Sequence, residues 1–182
     1  MIRTLLTIAT SALLCSCLIS VNPLSSPAEA SPDERLFGVW VLQDEDDGGA
    51  YLHVGRGEQG MTEALMIEHR QDGTYKTFRY RAFPTKLGEQ TFLNVVSPDD
   101  HKDRKGYDIV RYQVDGKRLS IALMTEAVVK ADIAAGKLKG KVEKGEFGDV
   151  TITASNEELR AYLQAADPAK LFPKPARFLK QD

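Results

Sequence analysis

The sequence contains few cysteines, a single tryptophan and no large excess of positive or negative charge. Its 182 residues include two cysteines, both within the first 20 positions, so the rest of the chain has no disulfide framework and no thiol nucleophile. Lys and Arg number 24 and Asp and Glu number 26, and the net charge of −2 argues against a nucleic-acid-binding surface. With 42% hydrophobic and 27% charged residues, the composition is typical of one globular domain.

Catalytic and metal-binding motifs are also missing. The sequence contains no G-x-S-x-G, P-loop or dinucleotide-binding glycine pattern. No two of the histidines, His53, His69 and His101, have the helical spacing of zinc ligands. The acidic run 44–47 does not have the spacing of an EF-hand calcium loop. We therefore predict no metal and no cofactor, and these absences favour a binding or structural protein over a carboxylate-based enzyme.

The first 30 residues have the pattern of an export signal. Arg3 is followed by an apolar run from Leu5 to Val21 and then by the small-residue sequence Ala28-Glu29-Ala30. A positive start, an apolar middle and an A-x-A site are typical of a secretory signal peptide. We predict that residues 1–30 are a leader, that the protein is exported to the periplasm or the extracellular space, and that residues 31–182 form a single domain.

A second processing route is open at this stage. Leu14-Cys15-Ser16-Cys17 resembles a bacterial lipobox, in which Cys17 would become the lipidated first residue. A lipid on Cys17 would hold the protein on a membrane surface without a spanning helix. Cleavage after Ala30 is the preferred route, and we expect contact with a membrane only through the signal or a lipid anchor.

Most of the predicted domain has the pattern of short β-strands joined by turns. Asp72-Gly73 and Asp115-Gly116 each stand between two strand-like runs, which is a strong hairpin signal. Leu119, Ile121 and Leu123 alternate with Ser120 and Ala122, so one face of that strand should be buried. The predicted strands are 36–43, 50–55, 61–70, 74–83, 90–96, 107–114, 118–124 and 149–153. Strands this closely spaced predict an antiparallel barrel or sandwich.

Two helices are predicted beside the strands. The first covers 126–135, with Thr125 as its N-cap, and the second covers 156–166. Ser155-x-x-Glu158 has the spacing of a capping box, in which side chain and backbone satisfy each other's hydrogen bonds. Asp167-Pro168 can start a further turn. The domain should therefore carry C-terminal helices from residue 155 onwards.

Gly38-Val39-Trp40, at the start of the first predicted strand, resembles the G-x-W motif of lipocalins and of uncharacterised exported bacterial proteins with lipocalin-like barrels. In that family the Trp closes one end of the barrel and a late Arg packs on it, for which Arg177 is the candidate here. The resemblance extends to about Ala166. It implies an antiparallel barrel of about eight strands with a C-terminal helix, which can enclose one small ligand.

The resemblance implies that a small apolar or amphipathic ligand binds inside the barrel. The candidate contacts are Trp40, Tyr80, Asn94 and Tyr112, with His69 as a further possibility. Asn94 is included because it alternates in phase with the apolar residues Phe92 and Val96. The alternative is an envelope structural or accessory protein whose barrel is filled by large side chains, namely Phe78, Tyr80, Phe92 and Tyr112.

Overall fold

The structure, a computed structural model, describes residues 18–43, 49–70, 72–96, 106–143 and 149–182. The strands, in chain order, are β1 Leu18–Ser20, β2 Gly38–Leu42, β3 Ala50–Arg56, β4 Thr62–His69, β5 Tyr75–Leu87, β6 Gln90–Val96, β7 Asp108–Asp115, β8 Arg118–Leu123, β9 Gly140–Val142, β10 Val150–Ile152 and β11 Ala176–Lys180. The helices are α1 Glu126–Ala134, α2 Asn156–Ala165 and α3 Pro168–Leu171. None of these helices has the length and apolar character needed to cross a bilayer.

Eight strands form a closed antiparallel barrel, which confirms the predicted fold class. Each strand from β2 to β7 pairs with the next along the chain, and β11 closes the wall by pairing with both β8 and β2. Each inward-facing residue is followed by an outward-facing one, because successive side chains of a strand point to opposite faces. Register is consistent around the closure, where Phe178 lies opposite Leu42 on one side and Leu119 on the other.

The identity of the eighth barrel strand differs from the prediction. The predicted strand 149–153 exists as β10, but it belongs to a separate three-stranded sheet, in which it pairs with β1 and β9. Val150 and Ile152 are buried outside the barrel, and this burial produces the same alternation as a barrel strand. Strand β11 was not predicted from the sequence; it is only five residues long and begins directly after Pro175.

Two apolar cores lie on opposite sides of the barrel wall. The inner core fills the barrel and includes Trp40, Leu93 and Phe178. The outer core lies between the wall, the small sheet and the helices, and includes Phe92 and Leu159. Neighbours such as Phe92 and Leu93 therefore belong to different cores, and β6 is buried on both of its faces.

The helices follow the predicted capping chemistry with one exception. The Ser155 hydroxyl accepts from the N–H of Glu158 at 3.2 Å, and the Glu158 carboxylate accepts from the N–H of Ser155 at 2.9 Å. The Asp167 carboxylate accepts from the N–H of Ala169 at 2.9 Å and starts α3. Thr125 is the N-cap residue of α1, but its side chain makes no capping hydrogen bond. The capping box of α2 is thus confirmed, whereas the Thr125 side chain does not cap α1.

The segment before β2 packs against the barrel. It begins at β1, where Ser20 bridges to Tyr107, and passes Asn94, to which the N–H of Leu24 donates. It ends in a 3-10 turn, Glu34–Leu36, whose Leu36 is buried in the inner core. This part of the chain therefore connects the outer core with one end of the barrel.

Candidate functional site

Trp40 lies in the inner core on β2, near the end of the barrel at which this strand begins. Its side chain is fully buried, and its indole N–H donates to the carbonyl oxygen of Leu36 at 2.7 Å. The ammonium of Lys180 lies 5.2 Å from the centroid of the indole ring, within the range of a cation–π interaction. Arg177, the candidate for this position, is on the outer face of β11 opposite Ser120. Lys180, three residues later on β11, therefore occupies the position that the resemblance predicted for Arg177.

Tyr112 anchors the turn that covers this end. Its hydroxyl donates to the Asp33 carboxylate at 2.9 Å, and the same carboxylate accepts from the Arg35 guanidinium at 2.7 and 2.9 Å. The hydrogen bonds from Arg35 hold the pKa of the Asp33 carboxyl below its usual value. Burial raises the pKa of the Tyr112 hydroxyl. The hydroxyl of Tyr112 is therefore engaged in holding the turn at residues 34–36.

Part of the inner wall is still accessible. Four inward-facing apolar residues pack against the inner core but are only partly buried. They are Ala64 and Phe78 on one side of the barrel and Ile121 and Leu123 on the other. Ala64 is the third residue of β4 and Ile121 is the fourth of β8, and a completely packed barrel would bury both side chains. The barrel is thus tightly packed around Trp40 and less completely packed between β4–β5 and β8.

Polar groups border the accessible part of the wall. The rings of Phe78 and Tyr80 are stacked, with their centroids 6.3 Å apart. The ammonium of Lys76 lies 4.3 Å from the centroid of the Phe78 ring. Tyr80 is buried and faces inward, as predicted. This wall therefore combines aromatic surface with a cation at its exposed edge.

Thr62 is a polar residue of the inner wall that sequence reasoning missed. It is only 2% exposed, and among the described residues its hydroxyl is the one buried side-chain polar atom without a hydrogen-bond partner. It is two positions from Ala64 along β4 and lies opposite Ala82 of β5. Strand β4 has apolar residues on both faces, so its alternation could not show that Thr62 points inward.

The structure places Asn94 outside the barrel, contrary to the expectation that it lines the interior. Its side-chain oxygen accepts from the N–H of Leu24 at 2.6 Å, and its amide nitrogen donates to the carbonyl of Phe83 and the hydroxyl of Thr85. Asn94 does lie on the same face of β6 as Phe92, as its alternation predicts, but Phe92 itself belongs to the outer core. Both faces of β6 are buried, and alternation alone cannot distinguish the inner face from the outer one.

His69 lies on the outer face of β4, away from the inner site. His69 follows the outward-facing Leu65 and Ile67 on β4 and contacts the ring of Tyr75 at 5.0 Å between centroids. The acidic run 44–47 and His101 lie outside the described residues. In the part of the chain that the structure describes, no group of three or more His, Cys, Asp or Glu side chains is placed to hold a metal ion.

A surface groove of about 690 Å³ lies between the three helices. The Tyr162 hydroxyl donates to the Asp132 carboxylate at 2.9 Å, and the ammonium of Lys137 donates to its other oxygen at 3.1 Å. The hydrogen bond from Tyr162 holds the pKa of the Asp132 carboxyl below its usual value. These polar groups satisfy one another, and they stabilise the contact between α1 and α2.

Comparison of the chain with family models, with curated proteins and with solved structures gave no match. The arrangement of the residues themselves is therefore the basis for a functional proposal.

Proposed function

We propose that the protein is an exported, lipocalin-like barrel that binds a small apolar or amphipathic ligand against its inner wall. The observation that carries this proposal is the partial exposure of Ala64 and Ile121, two inward-facing residues on opposite strands of the barrel. A barrel of eight strands has room for one small ligand when its side chains do not fill it. Trp40 closes the far end, so a ligand would enter from the end where β4 meets β5.

The residues that border the accessible wall favour an amphipathic ligand. Ala64 and Phe78 offer apolar surface to a hydrocarbon or ring system. The buried hydroxyl of Thr62 is able to donate one hydrogen bond to a ligand oxygen. Lys76, which is exposed beside Phe78 and lies opposite Glu68 of β4, offers a polar, charged contact for the headgroup of such a ligand. Of the sequence-predicted contacts, Trp40, Tyr80 and Tyr112 belong to the inner core, and we keep Tyr80 as a ligand contact.

Binding can be tested with a fluorescent probe of matching chemistry. Anilinonaphthalene sulfonate is apolar and anionic, and the single Trp of the chain can transfer excitation energy to it. We expect saturable probe binding by the wild type and competitive displacement by a long-chain fatty acid. Ala64→Leu fills the accessible space and should weaken probe binding by about tenfold or more, which corresponds to ~1.4 kcal/mol.

Matched variants separate a specific site from general surface binding. Ala131→Leu makes the same change at an exposed position of α1 and should leave probe affinity unchanged. Thr62→Val removes the inner hydroxyl, whereas Thr77→Val makes the same change on the exposed outer face of β5. Equal affinities for wild type, Ala64→Leu and Ala131→Leu would contradict the proposal, as would the absence of saturable binding.

An envelope accessory protein with a filled barrel is the second candidate. The complete burial of Trp40, Leu119 and Phe178 favours it, because these side chains occupy much of the interior. Phe92, which was expected to fill the barrel, belongs to the outer core and does not contribute. Failure of the wild type to bind any apolar probe would favour this second function.

A further inference from the structure

We infer that residues 18–30 stay in the exported protein as part of its fold, so that the leader is cut off before Leu18 and not after Ala30. This inference rests on the proposed export and decides between the two processing routes that the sequence leaves open. It is carried by the contacts that the segment makes with the barrel and with the small sheet.

The backbone of the segment is hydrogen-bonded to two different sheets. Strand β1 pairs in parallel with β10, in the register Leu18 opposite Val150. Ser20 and Tyr107 exchange two backbone hydrogen bonds, at 2.8 and 2.9 Å. The N–H of Val21 donates to the carbonyl of Ile152 at 2.9 Å. These bonds close the edge of β10 and join it to the first residues of the β7 region.

Side chains on the barrel hold the residues that follow β1. The side-chain oxygen of Asn94, which is completely buried, accepts from the N–H of Leu24 at 2.6 Å. The guanidinium of Arg160 donates to the carbonyl of Leu24 at 3.2 Å, so helix α2 also holds this residue. The hydroxyls of Ser25 and Thr85 are 2.6 Å apart.

The same residues are part of the outer core. Leu18 and Leu24 are buried, and both pack in the cluster that contains Phe92 and Ile109 of the barrel wall. Cleavage after Ala30 would remove them and expose apolar surface of this wall to water. It would also remove the hydrogen bond that the side-chain oxygen of Asn94 accepts from the N–H of Leu24.

Of the two routes, only the one at Cys17 leaves the segment in place. The Leu14-Cys15-Ser16-Cys17 pattern puts its cut between Ser16 and Cys17, one residue before β1 begins. The Ala28-Glu29-Ala30 pattern lies in an exposed 3-10 turn, Pro27–Glu29, which Ser26 caps and which directly follows the packed residues 18–25. The fold therefore accounts for this second pattern as a turn of the mature protein.

The experiment is to express the full chain in a bacterial host, isolate the protein from the cell envelope and map its N-terminus by mass spectrometry. We expect peptides that cover residues 18–30 in the exported protein. Cys17→Ser should abolish the cut, and the neighbouring Cys15→Ser, which makes the same chemical change, should leave the cut unchanged. A mature protein that begins at Ser31 would overturn the inference and leave the export proposal intact.

A chain found in the cytoplasm at its full mass would instead overturn the export proposal. Hydrogen exchange of that same chain then decides whether the segment belongs to the fold. Slow exchange of the Leu24 amide, comparable to that of amides in the barrel strands, supports the inference. Exchange as fast as in an exposed turn, such as the one at Gly73, overturns it.

Discussion

The side-chain oxygen of Asn94 lies 2.6 Å from the backbone nitrogen of Leu24 and accepts its hydrogen bond at a completely buried position. These two residues are 70 positions apart in the chain. The contact links the outer face of a barrel strand to a segment that, from its sequence, belongs to a leader. Asn94 thus serves as an anchor on the outer face of the wall.

Asn94→Ala should destabilise the protein by about 1–3 kcal/mol, because it leaves the N–H of Leu24 buried without an acceptor. The measurement is the midpoint of chemical denaturation, followed by circular dichroism. Asn156→Ala, at the start of α2, serves as the matched control, since no hydrogen bond of comparable burial depends on its side chain. Similar midpoints for the two variants would show that the Leu24 contact contributes nothing to stability.

Ser155→Ala should lower the free energy of unfolding by about 0.5–2 kcal/mol, as other N-cap substitutions do. In the wild type the Ser155 hydroxyl accepts from the N–H of Glu158. In the variant this N–H has no acceptor in the first turn of α2. Thr125→Ala is an informative control, because Thr125 occupies the N-cap of α1 without making a capping bond. Thr125→Ala should lower the free energy of unfolding by less than Ser155→Ala does. A larger loss for Thr125→Ala would contradict the capping assignment.

Trp40→Ala should lower the free energy of unfolding by about 3–5 kcal/mol, as for other fully buried aromatic residues. Tyr75→Ala removes an aromatic ring that is 68% exposed and should change stability by no more than about 0.5 kcal/mol. Because Trp40 is the only Trp, its emission should be blue-shifted in the folded protein and poorly quenched by acrylamide. Emission typical of an exposed indole would show that Trp40 does not close the barrel.

The ion pair beside Tyr112 should make stability fall in acid. Hydrogen bonds from Arg35 lower the pKa of the Asp33 carboxyl in the folded protein, so its contribution is present above the unfolded pKa, about 3.9. This contribution is lost as the pH falls through the lower, folded pKa. Asp33→Asn should therefore be less stable than wild type at pH 6, and the difference should shrink below about pH 4.

Urea denaturation of both proteins across this pH range is the measurement. Asp72→Asn is a comparison at a fully exposed carboxyl, whose pKa is also lowered but whose interactions are screened by solvent, so its pH-dependent effect on stability should be smaller. A difference between wild type and Asp33→Asn that stays constant with pH would show that the charge of Asp33 does not stabilise the fold.

The sequence predicted the barrel well wherever one face of a strand is buried and the other is not. Leu119, Ile121 and Leu123 all face the inner core, as their alternation indicates. The capping box at Ser155 was equally readable, because it depends on two residues three positions apart. A capping box can be predicted from the sequence because the residues that form it are close together in the chain.

The errors come from strands that are buried on both faces and from pairings that are distant in sequence. Nothing local distinguishes the inner face of β6 from its outer face, which is why Asn94 was expected inside. Similarly, Val150 and Ile152 alternate like barrel residues although they pair with β1 and β9. The partners that decide these cases are far away in the chain, and alternation does not identify them.

The position of β11 in the chain has a consequence for folding. The wall closes only when Phe178 pairs with Leu42, and these two residues are 136 positions apart. Until then β2 and β8 each present an unpaired edge, to which a second nascent chain can add. Pairing at such a separation is slow, because a long loop must be ordered before the contact forms. The newly synthesised chain therefore has to be kept from aggregating until its last strand is available.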